Sequence, residues 1–500
     1  MRSWSPLESR ADLPRRLSGA GAATSSLLFG PPRIGAFWTA GNPAGIADEI
    51  RDERADFSAS WGSQRGDYRR PLDPERSRHI QVAAQSWRAF SAGTAALGRI
   101  VLDQERFDPG TRAAGTDPFA SDPLFSVDTA RTGMRRTRAA LEGSIGWRLG
   151  SWSVGVSPGY EAREGTSTLA AVGRRVTTHT PGLILGASRR LGGIEAGSFV
   201  RMRRRAETIR LIPRAGITEA YQLSGYAEPA AIPVSIQPYY RRHTESIRSV
   251  GGTLAGTLGR GRWIVYGALD RLRGRWWRQQ NDDPPKDSWD ADGWSAGGAL
   301  GTPIGARWLL TVHARLTSLA GVADLALDTL GAVLTADESA WDGEAELRLL
   351  PAPGTWTGTV TVGIARESRR RRDVTLQLGT DVKAITPWIG AEIGKDLGER
   401  LFGSVAGAVA AYGPTSALPD PALRGPVYRD FIAPDLDLQA LSARPWALSL
   451  FLRYRVSGMV SLWTFARSER TSPTDPAISV HSPGGSRTAL GMRGGVTVLP

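Results

Sequence analysis

LEGSIGWRLGSWSVGVSPGY, residues 141–160, is the stretch whose reading decides the fold. Leu141, Gly143, Ile145, Trp147 and Leu149 occupy one set of alternate positions, and Glu142, Ser144, Gly146 and Arg148 occupy the other. Gly150-Ser151 then offers a two-residue turn, after which Trp152, Val154 and Val156 alternate with Ser153, Gly155 and Ser157. Side chains of an extended strand point to opposite faces at every step, so this is a hairpin with one greasy and one wet face. A helix would need apolar residues every three or four positions, and they are missing.

The same grammar recurs outward from that hairpin. Trp308, Leu310, Val312, Ala314 and Leu316 oppose Leu309, Thr311, His313, Arg315 and Thr317. Trp356, Gly358, Val360, Val362 and Ile364 oppose Thr357, Thr359, Thr361, Gly363 and Ala365. Trp446, Leu448, Leu450, Leu452 and Tyr454 oppose Ala447, Ser449, Phe451, Arg453 and Arg455. Soluble sandwiches and propellers also alternate, but these segments run to about ten residues instead of the usual five or six. Their apolar sets end in aromatics: Trp147, Trp152, Trp308, Trp356, Trp446 and Tyr454 are the candidate interface residues, because amphipathic rings settle where hydrocarbon meets water. Their opposite sets are rich in Arg, Thr, Ser and Gly, which suits a water-filled interior.

The pattern predicts an all-β chain: one large antiparallel transmembrane β-barrel over residues 51–500, of about 20–22 strands, preceded by an irregular lead-in over residues 1–50. Short turns are expected near Ser91, Gly150, Gly192, Gly259 and Gly305. Long polar loops are expected at Phe107–Arg135, Arg163–His179, Glu207–Gly216 and Arg273–Ser288. The predicted location is the outer membrane of a diderm bacterium, with outer-membrane lipid and lipopolysaccharide as surroundings and the barrel-assembly machinery as a partner. An export leader is not evident: Arg15-Arg16 precede only the weakly apolar Leu17–Leu28. That makes the lead-in a poor leader or a plug; a misassigned start codon, a missing leader or a different compartment are the alternatives.

Composition narrows the chemistry. The chain has 500 residues and no cysteine, which rules out disulfides, thiolate metal sites and Cys nucleophiles. No run of apolar residues reaches the ~18 needed for a spanning helix. The net charge of +13 comes almost wholly from arginine, since Lys286, Lys383 and Lys395 are the lysines. The arginines are spread over the whole length, often at every second position, which argues against nucleic acid as a partner.

No catalytic constellation emerges, and the expectation is that the chain is not an enzyme and uses no cofactor or metal. Gly155-Val156-Ser157-Pro158-Gly159 fits a hydrolase-elbow pattern but sits inside an alternating strand with no helix after it. His79, His179, His243, His313 and His481 form no ligand pair. The acids Asp282, Asp283, Asp287, Asp290 and Asp292 lack calcium-loop spacing. Arginine rows are the strongest chemical signal: Arg201, Arg203 and Arg205 share a face, as do Arg271 with Arg273 and Arg453 with Arg455, and Arg315 joins the wet set of its strand. These eight arginines are the candidate lumen-lining basic rows, and in a lumen they would bias a pore toward anions. Placed outside, they would grip anionic head groups. The expected function is a pore, or an accessory to solute uptake, with an anion bias. The alternative is a structural, adhesive or assembly-partner barrel whose lumen is plugged.

The N-terminal third resembles a family of outer-membrane β-barrels whose domain has no assigned function. The resemblance rests on Phe37–Gly45, Ala55–Ser58, Gly66–Pro71, the hairpin His79–Phe107 and Asp117-Pro118-Phe119. It implies fold and location and carries no catalytic residue. Asn42-Pro43-Ala44 is also similar to the entry segment of fatty-acid-transporter-like barrels. A TonB-dependent uptake system is a candidate partner. The end of the chain, Val496-Thr497-Val498-Leu499-Pro500, departs from the terminal aromatic that assembly machinery reads.

Overall fold

Two-residue alternation forces each segment to choose a sheet neighbour on both sides, and a chain built only of such segments avoids bare edges by closing on itself. The computed structural model shows that closure. It describes residues 35–50, 53–69, 73–113, 124–169, 172–213, 218–224, 230–234, 239–277, 285, 287–326, 331–350, 355–374, 378–414, 433–474 and 485–499.

The first strands are β1 (Arg54–Gly66), β2 (Arg76–Ser91), β3 (Thr94–Ala113), β4 (Leu124–Leu149), β5 (Trp152–Leu169), β6 (Val172–Leu191) and β7 (Ile194–Pro213). A small hairpin follows, β8 (Thr218–Ser224) with β9 (Ala230–Val234). Then come β10 (Tyr239–Leu258), β11 (Gly261–Trp277), β12 (Asp287–Ile304), β13 (Trp308–Ala326), β14 (Gly331–Leu349), β15 (Trp356–Asp373), β16 (Leu378–Asp396) and β17 (Leu401–Ala410). The two-residue β18 (Gly413–Pro414), the helix Ala433–Ala440, β19 (Ala443–Arg455), β20 (Val460–Pro473) and β21 (Arg487–Val498) complete the chain.

Eighteen strands form the closed wall, each antiparallel to the next. Strand β7 pairs with β10 and β17 with β19, and β21 returns to β1 with Ala55 opposite Val498 and Arg65 opposite Thr488. Thr497 donates a hydrogen bond to Asp56 across that seam at 2.5 Å. Strand β8 lies outside the ring, pairing with the far end of β4, while β18 adds two residues to β16.

The count is lower than the 20–22 expected, and the reason is strand length. Wall strands reach 26 residues in β4 and 20 in β3, β6, β7 and β10. The membrane stripe fills only part of each, and the rest continues as strand beyond it. Most of what reads as the long loops Phe107–Arg135, Arg163–His179 and Glu207–Gly216 is therefore wall.

Burial follows the alternation. In β15 the outward set Trp356, Gly358, Val360, Val362 and Ile364 spans nine residues, while Thr357, Thr359 and Thr361 are buried toward the interior. Nine-residue outward stripes recur in β4 (Leu141–Leu149), β5 (Trp152–Tyr160), β13 (Trp308–Leu316) and β19 (Trp446–Tyr454). A tilted strand needs about 9–11 residues to cross the hydrocarbon core, so each stripe matches one crossing. Trp147, Trp152, Trp308, Trp356 and Tyr454 stand on the outward face near the short turns, and Trp446 stands at the opposite edge of its stripe.

The short turns all lie at one end of the ring. Gly150, Gly192, Gly259 and Gly305 have φ between 58° and 67°, the left-handed region that tight hairpin turns demand and glycine adopts without steric cost. In barrels of this kind the short turns lie on the periplasmic side and the longer connections at the opposite, outer rim.

Candidate functional site

What the wall encloses decides what it can do. Residues 35–50 run inside the ring at its short-turn end as three brief helical turns: Ala36–Ala40, the 3₁₀ turn Pro43–Gly45, and Ile46–Glu49. Gly41, at φ 72°, closes the first by donating its N–H to the Phe37 carbonyl at 2.9 Å, a left-handed cap. Asn42 opens the second, its side-chain oxygen accepting from the Ala44 N–H at 3.1 Å.

The seat for this segment is a strip of wall without side chains. Gly146, Gly155 and Gly186 stand directly side by side across β4, β5 and β6. Gly197 continues the strip on β7. A Cβ on Gly146 would lie 3.0 Å from the Ala47 nitrogen, and one on Gly155 would strike the Pro43 carbonyl. A Cβ on Gly186 would strike the Asn42 amide oxygen, and one on Gly197 would come within 2.8 Å of the Asn42 amide nitrogen. Asn42 also donates to the Ser198 carbonyl at 3.3 Å and to the Thr253 hydroxyl at 3.5 Å. The backbone of 42–47 thus rests on bare strand.

One carboxylate ties the segment to the wall. Asp48, its side chain only 8% exposed, receives a hydrogen bond from Ser153 at 3.1 Å, an ion pair from Arg190 at 3.1 Å, and a contact from Arg148. Apolar packing completes the seat: Phe37, Ile46 and Ile50 bury against Trp87, Ala95 and Leu97, and Ala36 and Ala40 bury against Ile264, Tyr266 and Ala299.

Further along the interior, toward the other rim, stand two more groups of packed side chains. Ile247, Leu272, Trp276, Trp289, Leu319 and Leu334 cluster on the inner wall of β10 to β14, with the His243 ring stacked on Trp276 at 4.6 Å. Near the outer rim, Tyr68, Ala384, Tyr412, Leu441 and Ala443 pack together, and the Tyr412 hydroxyl donates to the Gln439 carbonyl at 3.0 Å in the helix Ala433–Ala440.

The arginine rows divide. Arg201, Arg203 and Arg205 take inward positions on β7, as Arg315 does on β13 and Arg453 and Arg455 on β19. Arg201 reaches the lead-in at Gly41. Arg205 pairs with Glu207 at 3.0 Å, and Arg453 lies 5.4 Å above the Phe402 ring. Arg271 and Arg273 differ from expectation: they point outward, on the stripe of Leu269, which is 70% exposed, while Asp270, Leu272 and Trp276 point in. Their apolar intervening residues belong to an interior cluster and not to a lipid face, so alternation there gives the opposite sidedness. The run Arg369–Arg372 splits likewise, with Arg369 and Arg371 paired inside to Glu367 and Glu338, and Arg370 and Arg372 outside.

The inner wall is compensated by interleaved acids. Arg138 and Arg163 flank Glu161, Arg348 pairs with Glu346 at 2.7 Å, and Arg467 pairs with Glu469. Among the described residues no cluster of three acids or histidines could hold a metal. Ser157 donates to Ser144 at 2.6 Å, as an ordinary wall residue. His179 faces outward beside Tyr160, and His313 faces inward. Asp287 is buried inside, whereas Asp290 and Asp292 face out; Asp282, Asp283 and His481 lie outside the described residues. Asp48 and the glycine strip escape sequence reasoning, which meets Asn42 only within the resembling entry segment. The available signal was small residues at wet positions of consecutive strands.

A family model described as Family of unknown function (DUF6850) matches residues 43–497. No curated protein matches the chain. Among solved structures, the chain is similar to the siderophore receptor PiuA from Acinetobacter baumannii, with 7% identity over 89% of this chain and 82% of that one, at a TM-score of 0.40. It is similar to the ferric citrate transporter FecA in the unliganded form, with 8% identity over 89% and 78%, at 0.45. The ferripyoverdine receptor of the outer membrane of Pseudomonas aeruginosa, bound to ferripyoverdine, matches with 10% identity over 89% and 72%, at 0.39.

Proposed function

We propose, for this chain, which belongs to the Family of unknown function (DUF6850), that the barrel is a gated conduit for uptake of a small hydrophilic solute, held shut at rest by residues 35–50. The observation that carries this reading is the manner of closure. The segment is seated on bare glycine strand and tied by one carboxylate, Asp48, to two arginines and a serine. Apart from the apolar contacts of Ala36, Phe37, Ala40, Ile46 and Ile50, the stretch at Pro43 and Ala44 meets the wall as backbone on glycine, with no side chains interlocked there. A seat of this kind can be left as one unit when its polar contacts break and its few apolar side chains are withdrawn.

Work to unseat the segment would come from the short-turn end, where residues 35–50 sit. A TonB-type energy-coupled partner fits that geometry as part of the proposal. Solute preference is a second part: Arg201, Arg203 and Arg315 line the inner wall beside the lead-in and would favour anions once it has left.

The test is liposome swelling and single-channel recording on the full chain and on a variant lacking residues 35–50. The full chain is expected to conduct little, and the variant to open a stable conductance whose reversal potential in a KCl gradient favours chloride. A cation preference would remove the anion assignment. Two equally silent proteins would overturn the conduit itself. They would favour the second reading, a structural barrel with its lumen filled, for which the aromatic cluster at Trp276 and Trp289 and the outer-rim cluster at Tyr412 speak.

A further inference from the structure

The outward face changes character abruptly above the lipid stripe. In β7 the stripe Ile194, Ala196, Ser198, Val200 and Met202 is followed at the next outward position by Arg204. In β10, Val250 to Leu258 gives way to Arg248; in β11, Leu269 gives way to Arg271; in β15, Ile364 gives way to Arg366; in β19, Trp446 gives way to Arg444. All five arginines are exposed. Because each stripe is about one hydrocarbon thickness long, these guanidinium groups stand at the outer head-group level.

Three of them form one patch. Arg248 and Arg271 are direct cross-strand partners, and Arg204 is opposite Ser246, one outward step along β10 from Arg248. Like charges directly opposite on one sheet face repel at about 5 Å, so the arrangement costs stability unless an anion sits between them. The counter-charge is one-sided: among the described residues Arg204 and Arg248 have no carboxylate partner, while Arg271 has Asp292 at 3.8 Å with both groups exposed. The outward cations at the periplasmic edge are arranged differently. Arg88, Arg189 and Lys395 each lie over a ring, those of Phe90, Trp152 and Trp356, at 5.0–5.6 Å.

Beside the patch a shallow outward hollow of about 440 Å³ is lined by Arg271, Arg370 and Arg372 together with Asp290, Asp292 and Asp337. Forked guanidinium groups match phosphate oxygens, and mixed acids and arginines match sugar hydroxyls.

We infer that this outer face binds the phosphorylated glycolipid of the outer leaflet, with Arg204, Arg248 and Arg271 clamping a lipid A phosphate and the hollow taking the adjoining sugar. The inference is independent of whether the lumen conducts. The experiment titrates bis-phosphorylated lipid A, its dephosphorylated counterpart and inorganic phosphate, separately, against the full chain in detergent. Substitution of Arg204, Arg248 and Arg271 by Gln is compared with a control in which Arg88, Arg189 and Lys395 are replaced by Gln. Wild type should prefer the phosphorylated lipid at least tenfold. The triple variant should lose affinity on the order of a hundredfold, from roughly fivefold for each surface arginine, and the control should bind as wild type. Arg248→Gln alone, about fivefold weaker, guards against misassembly of the triple variant. Equal binding by wild type and triple variant, equal binding of the dephosphorylated lipid, or full displacement by equimolar inorganic phosphate would each overturn the assignment.

Discussion

Replacing Gly155 by Ala should push the lead-in out of its seat while leaving the wall intact. The added methyl carbon would overlap the Pro43 carbonyl and lie 2.7 Å from the Ala44 nitrogen, all of it backbone that has no rotamer to change. The wall cannot yield either, because Gly155 is held in the ladder between Gly146 and Gly186. Overpacking of this kind costs about 1–3 kcal/mol, and rigid partners place it near the top of that range. Three kcal/mol is roughly a hundredfold shift in the ratio of seated to unseated segment. The absence of cysteine makes the assay direct: Ala47→Cys introduces a single thiol at a buried position of the segment, and its labelling rate with a charged maleimide follows the unseated population. The rate should rise roughly a hundredfold in the Gly155→Ala background. Gly143→Ala, on the outward face of the same hairpin with its nearest neighbour 3.9 Å away, should leave it unchanged. An unchanged rate in Gly155→Ala, with the barrel still shifting its gel mobility on boiling, would refute the glycine seat.

Asp48→Asn should raise the same labelling rate about tenfold, since it removes charge-assisted bonds from two partly exposed arginines; no change would mean that apolar packing alone holds the segment. Leu450→Arg, at the centre of the β19 stripe, should cost roughly 2–4 kcal/mol in folding titrations with lipid vesicles, as an outward charge at mid-membrane does. A cost near zero would place that face away from lipid. Deleting residues 487–498 removes β21 and opens the seam with β1, so the heat-shifted band should vanish; a persisting band would mean that the ring closes elsewhere.

The wall was legible because its signal repeats and is simple. Trp356 to Ile364 must alternate if one side meets hydrocarbon and the other water, and no local contact can override that over nine residues. Where the wall rises past the membrane the outward side no longer needs to be greasy, so the extensions of β4 and β7 read as loops and the strand number came out too high. At β11 the interior itself turns apolar, with Leu272 and Trp276 buried in a cluster, and that reversed the apparent sidedness of Arg271 and Arg273. The seat of the lead-in was hidden for another reason. Gly146, Gly155, Gly186 and Gly197 matter only because the distant lead-in comes to rest on them, and nothing in those strands themselves tells of that contact. Asp48 likewise looks like any loop acid until Arg148 and Arg190 are brought to it.

The most direct test of the account is a nitroxide scan of residues 446–454 in bilayers, recording collision with oxygen, which partitions into lipid, and with a nickel chelate, which stays in water. Oxygen contact should peak at positions 446, 448, 450, 452 and 454 and fall at the positions between them. A profile without that period, or a chain that stays in solution without lipid or detergent and shows every position shielded from both probes, would contradict it.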